Sequence, residues 1–229
     1  MLIIGHRGAK GPAPENSINA MHHALSQQVD GIEFDVRITR DKAPIVVHDR
    51  TLRATHRINK RIHQVTLNEL HALIPGHSIP TLIEVLDTFW GKTHLNIELK
   101  SKGSAEAVIS LLSSRYITED SDWQKCLISS FRAAELKEAR RLSPEAPLAM
   151  LHNENPFKFI FYHRTIQFNA LGFHRHHINN FVMIIAKRLG IFTYAYTVNR
   201  PRAAKIARTQ RFDAIISDYP ARVRRALED

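Results

Sequence analysis

The sequence predicts an α/β protein, and within that class a (β/α)8 TIM barrel with a β-hairpin and a small insertion after strand 2. Three observations carry this expectation. Short apolar runs alternate with amphipathic stretches along the whole chain, the pattern of βα units wound on a parallel sheet. About eight such units fit in the 229 residues, the usual size of a closed eight-stranded barrel. No glycine-rich phosphate fingerprint follows the first strand, where His6-Arg7-Gly8 stands instead, and this disfavours the open doubly wound sheet.

Barrel strands are predicted near Leu2–Gly5, Gly31–Val36, Leu95–Leu99, Leu127–Ser130, Leu148–Leu151, Leu171–His174, Phe192–Thr197 and Ala214–Ser217. Helical periodicity covers Ser17–Gln28, Thr81–Trp90, Ala105–Arg115, Ala133–Leu142, Asn180–Leu189 and Pro201–Gln210. Asn16 or Ser17 suits an N-cap, and Pro201 suits a first helical turn. One segment breaks the repeat. Thr39 to Ala43 is too short for a crossover helix, yet Pro44-Ile45-Val46-Val47-His48 reads as a strand, so the two arms form an antiparallel hairpin. A two-residue turn at Asp41-Lys42 would put Asp35 opposite His48 and return His48 to the barrel mouth. Asp49 to Pro80 reads as an irregular insertion over the same end, a lid or a substrate-shaping module.

With 44% hydrophobic residues and no low-complexity linker, residues 1–229 are expected to form one domain, with the insertion at about 49–80. Cys126 is the single cysteine and lies in an apolar run, so it reads as a small buried residue and no disulfide framework is possible. Met1 to His6 is too short and too quickly polar for a signal peptide, and a cytoplasmic location is expected. The longest apolar run, Phe181 to Ala186, falls far below membrane-spanning length. A net charge of +10 suits an anionic partner: a phosphorylated metabolite, a lipid surface or nucleic acid. Much of the excess is C-terminal, among them Arg200, Arg202, Lys205 and Arg208, at the spacing of a solvated helix face. No aromatics interleave there to stack bases, so no nucleic-acid partner is expected, while a weak contact with a membrane surface stays compatible with the charge.

Side chains two apart on a strand share a face, so Glu33 and Asp35 point one way, as do Asn96, Glu98 and Lys100. With Ile32, Phe34 and Val36 on the opposite face, Glu33 and Asp35 are expected to line the barrel interior. Three carboxylates on neighbouring strands make a hard-oxygen site for Mg²⁺ or Ca²⁺ rather than structural zinc. Without a metal they would repel one another, and some would take up protons. His6 ends the first strand and His48 the returning hairpin arm, at the rim where barrel enzymes do chemistry. Two imidazoles there could share the work of base and acid. Arg7 and Lys100 supply charge for phosphate oxygens. Of the remaining histidines, His22, His23, His174, His176 and His177 read as unspecialised, although His174 could reach the mouth.

These residues resemble the glycerophosphodiester phosphodiesterase family. The matches run in order along nearly the whole chain: His6-Arg7-Gly8 with Pro14-Glu15-Asn16-Ser17, Gly31 to Val36, His48-Asp49 with Thr51-Leu52, Pro80-Thr81-Leu82, Asn96 to Lys100, Ser129-Ser130-Phe131, Tyr196 to Asn199, and Ser217 to Pro220. The resemblance implies metal-dependent hydrolysis of glycerophosphodiesters to glycerol 3-phosphate and an alcohol. By position it makes His6 and His48 the acid/base pair, Glu33, Asp35 and Glu98 the ligands of a divalent metal, and Arg7 and Lys100 the phosphate-binding residues. It further implies attack by a substrate glycerol hydroxyl on phosphorus, with His6 the base and His48 the acid, before water opens a cyclic phosphate. Two departures bear on substrate preference: Arg53 to Lys60 replaces the family's Thr-Thr-x-Gly-x-Gly stretch, and Tyr196 stands where tryptophan is usual. Two other readings are a lysophospholipase D-like activity on single-chain lipids and a barrel that binds phosphodiesters without turnover. The acid/base pair argues against the second, since binding alone does not need it.

Overall fold

A computed structural model describes residues 1–74, 79–152, 157–176, 178 and 180–228. Nine strands form one sheet: β1 (Leu2–His6), β2 (Gly31–Ile38), β3 (Pro44–Val46), β4 (His94–Leu99), β5 (Cys126–Ser130), β6 (Leu148–His152), β7 (Ala170–His174), β8 (Phe192–Tyr196) and β9 (Ala214–Ser217). All except β3 are parallel neighbours, and β1 pairs with both β2 and β9, which closes the ring into an eight-stranded barrel. A helix follows in each crossover: Ile18–Ser26, Leu82–Phe89, Ser104–Arg115, Ala133–Leu142, Lys158–Ile166, Asn180–Arg188, Pro201–Thr209 and Pro220–Glu228. The (β/α)8 barrel expected from the alternation is therefore present, with every predicted barrel strand in place. No helix among the described residues is long and apolar enough to cross a membrane.

The alternation of side chains along each strand divides the core. Outward-facing Ile32, Phe34 and Val36 pack with helix residues such as Leu82, Leu86 and Phe89. Inward-facing Ile4, Leu127, Ala149, Leu151, Tyr194 and Ile216 fill the barrel. Cys126 is buried, and burial pushes its thiol up to about 12, so it is inert at neutral pH.

The hairpin register differs from the expected one. Val36 faces Val46 and Arg37 faces Ile45, and the Val47 N–H donates to the Asp35 carbonyl, so Asp35 lies across from Val47 rather than His48. The reason is the loop. Thr39 and Ala43 close three residues, with Lys42 in the left-handed region at φ 68°, instead of a two-residue turn. His48 therefore follows the last pair and is aimed by a bond from Arg37 Nε to its carbonyl oxygen, 2.7 Å.

The insertion is more ordered than its sequence suggested. It carries short helices at Arg53–His56 and Leu67–Leu73 and packs Leu52, Ile62, Val65, Leu70 and Ile74 against Ile45 and Val47 of the hairpin arm. Thr66 and Glu69 form a capping box at the start of the second helix. Residues 75–78 of the expected insertion, and His177, lie outside the described residues.

Candidate active site

Register alone assembles most of the site. His6 lies beside Glu33 across β1 and β2, while Glu33 pairs with Asn96 and Asp35 with Glu98 across β2 and β4. Glu33, Asp35 and Glu98 are buried, and one ligand oxygen from each lies within 4.8 Å of the others. The burial would be costly without compensation. Burial, reinforced by the charge on Asp35, pushes Glu33 up to about 7 and Glu98 up to about 8. Burial also acts upward on Asp35, but Lys100, Arg7, His48 and Asn16 outweigh it and hold the carboxyl below its ordinary value. Two of three clustered carboxylates thus resist ionisation, and a divalent cation among their oxygens would remove that resistance. The donor set, all oxygen, fits Mg²⁺ or Ca²⁺.

The loop after β1 shapes this pocket with backbone in unusual conformations. Arg7 has φ 52° and Gly8 φ 89°. The Arg7 N–H consequently donates to Glu33 Oε2 at 2.9 Å, and its guanidinium reaches Asp35 at 3.2 Å and Glu15 at 2.7 Å. Such strain persists only where surroundings over-determine it. Here Asn16, itself at φ 59°, donates to Asp35 Oδ2 and accepts from the Asp35 N–H. Just upstream, a Cβ on Gly5 would lie 2.2 Å from the Gly8 carbonyl oxygen. Gly5→Ala is therefore expected to cost about 1–3 kcal/mol, read by denaturant unfolding, because a backbone atom must move. Unchanged stability would show that the loop yields freely.

Each candidate histidine has a carboxylate on Nδ1. His6 Nδ1 lies 2.5 Å from Asp218 Oδ1, and Asn199 holds the other Asp218 oxygen at 2.6 Å. This arrangement favours the tautomer with the proton on Nδ1 and the Nε2 lone pair toward the pocket, 4.0 Å from Glu33. Burial pulls His6 down, but Asp218 and Glu33 outweigh it and the net shift is upward. His48 Nδ1 is 2.9 Å from Asp49. Burial dominates there, and its pKa falls. Lys100 spans Glu98 at 2.8 Å and Asp35 at 3.3 Å. His6, Glu33 and Glu98 line one small pocket, Arg7 and Lys100 are tied to it through Asp35, and His48 lines an adjoining hollow within electrostatic reach of Asp35. His174 ends β7 and stacks edge-on with Tyr196 rather than joining them.

Several contributors were present in the matched motifs without an assigned role: Glu15, Asn16, Asn199 and Asp218. An acid directly after the last barrel strand was a usable signal for Asp218. Tyr196, the departure from tryptophan, lines the pocket and donates to the His152 carbonyl oxygen at 2.5 Å. Arg57, within the stretch that departs from the glycine pattern, adopts φ 58°, a conformation glycine takes more easily.

The model of the glycerophosphoryl diester phosphodiesterase family matches residues 6–222. The chain belongs to that family. Similar relatives include the glycerophosphodiester phosphodiesterase of Bacillus altitudinis, 31% identical over 250 residues that cover 99% of this chain and 98% of the relative. Another is that of Caldanaerobacter subterraneus, 29% identical over 96% of this chain and 94% of the relative. Among solved structures, a phosphodiesterase from Oleispira antarctica in complex with the product sn-glycerol-3-phosphate superposes with a TM-score of 0.88. It is 27% identical, and the match covers 100% of this chain and 97% of the other. The resemblance seen in the motifs thus extends over the entire barrel.

Proposed function

We propose that this member of the glycerophosphodiester phosphodiesterase family hydrolyses glycerophosphodiesters to glycerol 3-phosphate and an alcohol, with residues 1–229 acting as one catalytic domain. The observation that carries the reading is a buried three-carboxylate cluster flanked by two imidazoles, each backed by its own carboxylate. Glu33, Asp35 and Glu98 would hold a divalent cation, Mg²⁺ or Ca²⁺, which when bound supplies Lewis-acid stabilisation of phosphoryl oxygens. Arg7 and Lys100, both on Asp35, add positive charge where the phosphate would sit.

The division of acid and base taken here is the one the family resemblance implies, and the bond between Asp218 and His6 is compatible with it. Asp218 fixes His6 with Nε2 facing the pocket, so His6 takes the proton of a substrate glycerol hydroxyl as its oxygen bonds to phosphorus. The bond from phosphorus to the alcohol oxygen breaks, and His48 gives that oxygen a proton. Water then opens the cyclic phosphate by the reverse transfers: His48 takes the water proton, and His6 returns its proton to the glycerol oxygen. The upward shift of His6 does not oppose its role as base. Part of that shift comes from Glu33, and a cation held by Glu33 would offset that part.

The test is choline release from glycerophosphocholine beside lysophosphatidylcholine, which leave glycerol 3-phosphate and an acylated glycerol 3-phosphate respectively, with a divalent ion and with chelator. Release from the first alone supports this reading. Preference for the second supports the single-chain lipid reading, and release from neither leaves only the binding barrel.

A further inference from the structure

The hairpin and the insertion enclose a second cavity of about 730 Å³ beside the catalytic pocket, and its chemistry is one-sided. It is lined by Arg37, Lys42, Arg50, Arg61, Lys102 and Arg132, together with Arg40 and Lys100, and by no carboxylate. Arg40 pairs with Glu69, and Lys100 with Glu98 and Asp35. The other six have no carboxylate within ion-pairing distance among the described residues.

Arg37 makes this a built site rather than a basic surface. It is 7% exposed and lines the cavity together with Arg50. Its Nε is committed to the His48 carbonyl, while its terminal nitrogens donate no hydrogen bond to the described residues. These nitrogens are not among the fully buried unpaired atoms but open to the cavity beside a second arginine, Arg50, where an anion can take up their free donors.

The cavity also adjoins the catalytic residues, since Lys100, which lines it, pairs with Asp35 and Glu98. Arg37 follows Glu33 and Asp35 on the same face of β2. Arg37 further ties the cavity to His48, the group that protonates the departing alcohol in the mechanism above.

We propose that this cleft binds a phosphate monoester carried by the alcohol half of the substrate, so that the preferred substrates are glycerophosphodiesters of phosphorylated alcohols. The inference rests on the proposed function for the position of the alcohol. Glycerol has no ionisable group, so the second anion belongs to the other half. Cations without partners raise the local concentration of such a dianion and hold it in a bidentate fashion.

The test compares glycerophosphoinositol 4-phosphate with glycerophosphoinositol on the metal-loaded protein, in the wild type and in the double variant Arg50→Gln, Lys102→Gln. Both substituted side chains are exposed and lie outside the catalytic set. The wild type is expected to favour the phosphorylated substrate by about tenfold or more in kcat/KM, less at high salt, and the double variant to lose that preference while keeping its rate on glycerophosphoinositol. Equal kcat/KM on the two substrates, or equal loss on both in the variant, overturns the proposal. Calorimetry with inositol 4-phosphate, the alcohol released, decides the same point without turnover. Binding is expected in the wild type and expected to weaken about tenfold in the variant; unchanged binding contradicts the cleft. Failure to hydrolyse any glycerophosphodiester overturns the proposed function and leaves the calorimetry to judge the cleft.

Discussion

His6→Ala is expected to slow glycerol 3-phosphate release on the order of a hundredfold or more, with the fold preserved. The side chain lines the pocket at the barrel mouth and is about one-fifth exposed, so its loss removes a proton acceptor from a cavity wall rather than from the apolar core. The same loss is expected for His48→Ala, whose ring is about one-third exposed. Asp218→Asn separates orientation from chemistry. It leaves His6 in place but removes the acceptor that fixes its tautomer, so kcat should fall while KM changes little. Near-normal turnover in either alanine variant would remove that histidine from the mechanism.

Removal of the divalent ion is expected to abolish turnover and also to reverse the pH dependence of stability. In the metal-free fold, Glu33 and Glu98 sit above the ordinary glutamate value of 4.5, at about 7 and about 8. The folded state then binds more protons than the unfolded chain across that interval. Stability from these groups is full below the unfolded value and is lost as pH rises through the folded ones. The melting temperature of chelated protein should fall from about pH 5 to about pH 8, and a divalent ion should restore more of it at the upper end. A gain equal at both ends, or none, would contradict the cation pocket. Asp35→Asn should lower activity by at least about a hundredfold, since it removes a proposed ligand and takes from Arg7 and Lys100 the carboxylate they share, leaving them Glu15 and Glu98.

Much of this site was legible because barrel strands translate sequence into space with a period of two. Glu33, Asp35 and Glu98 needed only strand register to converge, and the apolar opposite face of β2 fixed which way they point. The hairpin register was misread because Thr39 to Ala43 holds no glycine to mark its left-handed residue, and Lys42 took that conformation instead. The helix Leu67–Leu73 was passed over although Thr66 and Glu69 announce its cap. It is one short element whose apolar residues serve a satellite cluster rather than the main core. Asp218 and Asn16 act through hydrogen bonds to groups 212 and 19 residues away, so that even where position after the last strand marks Asp218, its partner is not encoded locally. The basic cleft was invisible for the same reason. Its cations come from β2, the hairpin loop, the insertion and the loops after β4 and β5, and only the folded chain gathers them.

The most direct test of the central claim is anomalous diffraction from crystals grown with Mn²⁺ and glycerol 3-phosphate. The expected result is a single strong peak among the carboxylates of Glu33, Asp35 and Glu98, with the phosphate beside it within reach of His6, Arg7 and Lys100. A peak elsewhere, or an empty acidic pocket at millimolar Mn²⁺, would contradict it.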